Sequence, residues 1–321
     1  MVDSYARLIE AEIKKQKFGK QPPSLYEPIR YIMSLGGKRL RPLLTLLAYS
    51  LFRNDEKKVV PYACAVEAFH NFTLLHDDIM DNAPLRRGKP TVHEKWNVNT
   101  AILSGDVMLV KVYEMFLQLD SKLAKDVLTK FNACAAEVCE GQQWDMEFER
   151  MDTVSEKQYI NMIRQKTAVL LGFSLELGAM LANAKTSDQK LLYHAGINVG
   201  IGFQLKDDLL DVYGDHSKFG KQVGGDIIAN KKTFLLINAL SMAGRDELTK
   251  LNQWLKKQGD PSAKVEAVKQ LYDKLGIKEL TEKKVNAYFK KGLTQLDSLS
   301  TSTRKKALLL NYINNLIDRQ A

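Results

Sequence analysis

The stretch 62–81, YACAVEAFHNFTLLHDDIMD, decides the fold. Ala65, Phe69, Phe72 and Leu75 recur at steps of three and four, the spacing of one face of an α-helix. The same spacing returns at Ile160, Ile163, Thr167, Leu170 and Leu171. All eight prolines lie at 22, 23, 28, 42, 61, 84, 90 and 261, so positions 91–260 have none. A run of that length without proline, and with little strand-like alternation, predicts helix after helix. No internal repeat or low-complexity linker divides the chain. We therefore expect an all-α protein, a single domain over 1–321, with irregular joints near 19–28, 82–92, 214–226 and 257–262.

Composition excludes several classes. At 45% hydrophobic and 26% charged residues the chain can bury a substantial core and does not read as disordered. Asp3, Arg7 and Glu10 precede any long apolar run, so the opening residues do not resemble a signal peptide. The longest apolar run, 168–182, contains Ser174 and Glu176 and falls short of the roughly 20 residues a membrane span requires. Cys64, Cys134 and Cys139 match no metal-ligand spacing and read as small core residues of a reducing compartment, so a cytoplasmic location is expected. The net charge of +9 is concentrated after position 240, where 16 Lys and Arg face 9 Asp and Glu. That mixed pattern describes a solvated helix surface better than a nucleic-acid site.

The chemistry is announced by two acidic clusters. His76-Asp77-Asp78-Ile79-Met80-Asp81 closes the first helix, and Phe203-Gln204-Leu205-Lys206-Asp207-Asp208-Leu209-Leu210-Asp211 comes 130 positions later. Carboxylates at i and i+4 stack Asp77 with Asp81 and Asp207 with Asp211 on one helix face, at a cost of about 0.2–0.5 kcal/mol per pair in an isolated helix. Oxygen donors without nearby cysteine or a histidine set suit a hard cation such as magnesium, which takes one or two carboxylates, waters and substrate phosphates. Two such clusters facing each other would hold several ions around one diphosphate. One cluster alone is an ordinary acidic helix end; two beside apolar residues point to a site.

Cations accompany them. Gly36-Gly37-Lys38-Arg39-Leu40-Arg41-Pro42 sets three beside two glycines, Arg86-Arg87-Gly88 follows the first cluster, Lys166-Thr167 interrupts an apolar helix, and Lys221 and Lys231 flank a glycine-bearing loop. Arginine offers a bidentate fork to phosphate, and glycine lets backbone approach it. The loop glycines form no G-x-x-x-x-G-K-[ST], so nucleotide binding is unsupported.

These motifs, in this order, resemble those of the trans-isoprenyl diphosphate synthases, the family of farnesyl and geranylgeranyl diphosphate synthases. The resemblance runs from GGKRLRP through HDDIMD, RRG, KT and FQLKDDLLD to NKKT, nearly the whole chain. It implies a helical bundle of isoprenoid synthase type around a deep central cavity, usually as a homodimer. It implies that Asp77, Asp81 and Asp207 are the principal magnesium ligands, about three ions in all, with Asp78, Asp208 and Asp211 in support. Arg86, Lys166, Lys221 and Lys231 would grip the allylic diphosphate, and Lys38, Arg41, Arg87 and His70 the isopentenyl diphosphate. Many relatives have glutamine at the His70 position. Thr167 and Gln204 would face the developing carbocation, and Asp145 would line the same cavity. Some relatives use basic residues at the C-terminal end, where this chain has only Arg319. Phe72, about 7.5 Å along the helix from Asp77, would be a floor under the growing chain, and the smaller Thr73 inclines the product toward twenty carbons. A longer-chain synthase, a non-catalytic partner subunit and a terpene cyclase are the competing readings. Intact aspartates in both clusters argue against the subunit, and the isopentenyl cations argue against the cyclase.

Overall fold

Freedom from proline lets the middle of the chain wind into long helices, and the computed structural model describes residues 1–214, 224–257 and 259–317. In order these are α1 (Val2–Lys15), α2 (Pro23–Ser34), α3 (Leu40–Ser50), α4 (Val60–Met80), α5 (Val92–Lys95), α6 (Val98–Phe116), α7 (Ser121–Arg150) and α8 (Glu156–Ile163). A π-turn, Arg164–Ala168, then leads into α9 (Val169–Leu181), α10 (Thr186–Tyr213), α11 (Gly225–Ile228) and α12 (Phe234–Met242). The last are α13 (Arg245–Lys256), α14 (Pro261–Lys274), α15 (Ile277–Asp297) and α16 (Thr303–Ile317). Between α4 and α5 lies a small hairpin, Leu85–Arg86 (β1) against Lys89–Pro90 (β2). The fold class is all-α, as the periodicity predicts.

Contacts gather the chain into two units. The first comprises Met1–Ala133, Phe173–Tyr193 and Leu299–Leu309. The second comprises the described parts of Cys134–Gly172, His194–Ser298 and Leu310–Ala321.

In the first unit α4 is the central element, packed by α1, α2, α3 and α6. It is buried along most of its length, and Ala63, Ala65, Val66, Ala68, Phe69 and Leu75 are almost completely buried. Phe131 of α7 is the hub of an aromatic cluster, its ring centroid 5.0 Å from Phe69, 5.3 Å from Phe116 and 5.9 Å from Phe173. Phe72 is buried beside it, 5.6 Å from Phe69 and 4.8 Å from His76. In the second unit Leu209, Val212, Leu235, Leu251, Tyr272 and Ile277 form the core that carries α10, α12, α13, α14 and α15.

Four sequence expectations change. The first joint is 16–22, and α2 begins at Pro23 with Pro28 inside it; Pro23 at N1 loses no bond there, and Pro28 forfeits one. The joint at 82–92 contains the hairpin, whose Arg87-Gly88 turn has φ of +53° and +73°, the two positive angles of a tight type I′ connection. Cys139 is exposed, whereas Cys64 and Cys134 are buried as expected. The apolar phase of 160–171 breaks at the π-turn, which leaves Ile160 only partly buried. Among the described residues no helix is long and apolar enough to cross a membrane.

Phe131→Ala removes the ring on which four others, Phe69, Tyr113, Phe116 and Phe173, pack. It should lower the stability of the chain by about 3–5 kcal/mol, read as a shift of the guanidinium unfolding midpoint.

Candidate active site

Both aspartate clusters lie at the C-terminal ends of their helices. There the helix macrodipole is negative, and a carboxylate in the last turn, as Asp77, Asp78 and Asp211 are, is disfavoured by about 0.3–1 kcal/mol. Asp77 and Asp78 occupy the last turn of α4, and Asp81 follows it with its N–H donating to the Asp77 carbonyl at 2.9 Å. Asp78 is only 2% exposed, and Arg86 returns on β1 to bind it. Arg86 Nε lies 2.9 and 2.8 Å from the two carboxylate oxygens and Nη2 2.7 Å from Oδ1. The same guanidinium is 3.8 Å from Asp77. Asp78, expected among the supports of a metal, here holds the guanidinium of Arg86.

The GGKRLRP segment divides its three cations between two tasks. Arg39 has a left-handed backbone (φ +46°) and turns inward, where it donates to Glu67 at 2.8 Å, Glu10 at 2.7 Å and the Met33 carbonyl at 2.7 Å. It is 4% exposed and serves the fold. Lys38 is exposed and Arg41 partly so. Arg87 donates to the Gly36 carbonyl, and a Cβ at Gly37 would lie 2.7 Å from the Arg87 guanidinium carbon, so only glycine admits that approach. His70 stands on α4 in the same neighbourhood. Burial, then the positive charges of Arg41, Arg87, Arg86 and Arg39, hold its pKa well below the ordinary 6.5. A neutral imidazole ringed by arginines is a ready place for an anion.

The second cluster ends α10, and its surroundings are built around the π-turn. A π-turn widens the helix by one residue and turns side chains out of the regular phase. Here it presents Lys166 and Thr167. Gly141 of α7 makes room for it: a Cβ at 141 would lie 2.2 Å from the Lys166 backbone nitrogen. Lys166 Nζ is 2.6 Å from Asp145 Oδ2, and Lys231 Nζ is 3.9 Å from the same oxygen. Thr167 Oγ1 donates to Gln204 Oε1 at 3.2 Å, and Gln204 Nε2 donates to Asp208 Oδ1 at 3.0 Å. Tyr159 closes the chain by donating its hydroxyl to Asp208 Oδ2. Burial raises the Asp208 pKa to about 7 and Asp226 adds to the rise, against the opposing pull of Tyr159, Gln204 and Lys231. Like Asp78, Asp208 is occupied by protein partners and orients a neighbour. Asp211 Oδ2 accepts from the Asp226 N–H at 3.0 Å.

Asp145, Lys166, Thr167, Gln204, Asp207, Asp211, Asp226 and Lys231 line one cavity of about 310 Å³ in this second unit. Its acidic donors are carboxylate oxygens, the set a hard divalent cation takes. Among the described residues no three His, Cys, Asp or Glu side chains converge into a closed metal cage. Magnesium needs no such cage, since it keeps waters and accepts phosphate oxygens as ligands. Lys221 and Arg319 lie outside the described residues. Sequence reasoning missed Asp226 and Tyr159. Asp226 could have been found as the carboxylate directly after the Gly224-Gly225 pair; Tyr159 looks like any core aromatic until its hydroxyl is seen on Asp208.

The fold and this cavity define an all-helical protein with lysines and carboxylates gathered in one polar pocket. A family model described as polyprenyl synthetase matches residues 22–275. A short chain isoprenyl diphosphate synthase of Methanocaldococcus jannaschii is 41% identical over 263 residues, 82% of this chain and 79% of that one. A geranylgeranyl pyrophosphate synthase of Geoglobus acetivorans is 35% identical over 99% of this chain and 97% of its own. A crystal structure of a geranylgeranyl pyrophosphate synthase superposes with a TM-score of 0.95 at 42% identity, over 100% of this chain and 99% of that one. The chain belongs to the polyprenyl synthetase family and is a prenyltransferase. The family uses divalent metal ions.

The depressed pKa of His70 has a sign that can be tested. A histidine held neutral by the fold stabilises it above its unfolded pKa near 6.5 and loses that contribution as pH falls below it. Wild type should therefore lose thermal stability on acidification more steeply than His70→Gln; melting temperatures of the two proteins across that range check it.

Proposed function

We propose that this chain condenses isopentenyl diphosphate head to tail with allylic diphosphates (dimethylallyl, geranyl, farnesyl), releases diphosphate, and makes geranylgeranyl and/or farnesyl diphosphate with magnesium. The observation that carries the reading is the cavity in which two lysines, a threonine–glutamine pair and oxygen-only carboxylates meet. An allylic diphosphate needs each of them: cations for the leaving group, dipoles for the carbocation, carboxylates for the metal.

In this reading Asp77, Asp81, Asp207 and Asp211 hold magnesium, three ions in all, and bound magnesium neutralises the charge that builds on the departing diphosphate. Lys166, Lys231, Lys221 and Arg86 grip that diphosphate, with Asp78 fixing the guanidinium of Arg86. Lys38, Arg41, Arg87 and neutral His70 receive isopentenyl diphosphate, and His70 donates a hydrogen bond to it. Thr167 and Gln204 turn oxygen lone pairs toward the allylic carbon, and the Asp208–Gln204 hydrogen bond keeps the amide from flipping. Apolar walls exclude water that would quench the cation. Once the isopentenyl double bond has attacked, the released diphosphate takes the proton, so the chain needs no Ser/His or Cys/His pair.

The whole chain 1–321 acts as one isoprenoid-synthase domain, in the cytoplasm and as a homodimer. The outward side of α6 supports the dimer: Ile102, Leu103 and Val110 on it, and Leu117 just beyond its end, are exposed. Phe72, packed against Phe69 and His76, supports a product of fifteen to twenty carbons by closing the space below the first cluster.

Purified protein given magnesium, isopentenyl diphosphate and each allylic starter should yield alcohols of fifteen or twenty carbons after dephosphorylation. Absence of any condensation product overturns the reading. Asp207→Asn and Asp77→Asn should each lower kcat by at least about a hundredfold. Phe72→Ala should lengthen the product; an unchanged chain-length distribution removes Phe72 from that role.

A further inference from the structure

Lys264 is a lysine in a place that stability alone disfavours. It lies in the first turns of α14, at the positive end of the helix dipole, and is only 7% exposed. Both acceptors of its ammonium are neutral: the Ile228 carbonyl at 3.1 Å and Asn230 Oδ1 at 2.6 Å. These two groups form the C-terminal end of α11. Asn230 also donates to the Leu255 carbonyl at 3.0 Å and has a left-handed backbone, φ +55°. The next residue is Lys231, whose N–H returns to the Asp226 carbonyl at 2.8 Å.

The other end of α11 is tied to the second aspartate cluster. Gly224 N–H donates to the Asp211 carbonyl at 2.6 Å and Asp226 N–H to the Asp211 carboxylate at 3.0 Å. The short helix is thus a strut with Asp211 at one end and Lys231 at the other, and its length sets the distance between a metal-binding carboxylate and a diphosphate-binding cation. An unclamped end would let Lys231 swing, because Asn230 holds a conformation non-glycine residues leave readily. A buried ammonium donating to both a carbonyl and the Asn230 side chain removes that freedom.

We propose that Lys264 is a positioning residue for the reaction: by holding the C-terminal end of α11 it places Lys231 on the allylic diphosphate. The assignment rests on the reading of Lys231 given under Proposed function. Burial also draws the Lys264 pKa below its ordinary value.

Steady-state kinetics of the full chain with both substrates varied, for wild type, Lys264→Met, Lys264→Arg, Asn230→Gly and Lys231→Ala, test this. Lys264→Met and Asn230→Gly should raise KM for the allylic diphosphate about tenfold and leave KM for isopentenyl diphosphate within about twofold. Lys264→Arg should recover most of the loss. Asn230→Gly keeps the backbone conformation available and carries the test if Lys264→Met does not fold. If Lys231→Ala raises the allylic KM while Lys264→Met and Asn230→Gly lower only the melting temperature, Lys264 is structural and the reading of Lys231 stands. If Lys231→Ala itself leaves the allylic KM unchanged, that reading fails and takes the Lys264 assignment with it.

Discussion

Negative charge crowded at the C-terminal ends of α4 and α10 is the constraint on which the rest of this protein depends. Each helix finishes with three aspartates where its own backbone carbonyls already present a negative potential. Repulsion of that kind does not hold a fold together, and its offset comes from around it. Arg86 neutralises Asp78, Tyr159 and Gln204 satisfy Asp208, and the Asp226 N–H caps Asp211. What these partners leave uncompensated at each cluster is negative charge that favours a cation.

Within each cluster the aspartates differ in work. Asp78 and Asp208, the second of each adjacent pair, are 2% and 4% exposed and face protein partners. Asp77 keeps about a fifth of its side chain exposed. The division follows from helix geometry, since neighbouring residues point about 100° apart and only one can face inward. The inward one then holds a neighbouring side chain, Arg86 in one cluster and Gln204 in the other.

The cations show the same economy. In GGKRLRP, Arg39 faces the core and ties α1, α2 and α4 to the start of α3 through Glu10, Met33 and Glu67. Lys38 and Arg41 are more exposed. Nothing in the composition of that segment separates Arg39 from Arg41. Burial does.

The helical class, the two aspartate clusters and the flanking cations were legible in the sequence, because helix periodicity and the spacing of like charges are local properties. Asp77 with Asp81, and Asp207 with Asp211, could be placed on common faces from 3.6 residues per turn alone. The π-turn at 164–168 could not, since it depends on Gly141 admitting the Lys166 backbone from a different helix. The same holds for the partners of Asp78 and Asp208, for the inward turn of Arg39, and for Lys264 reaching back to Asn230. Which carboxylate meets an arginine and which a tyrosine and an amide depends on residues distant in the chain. Only their packing in three dimensions decided it.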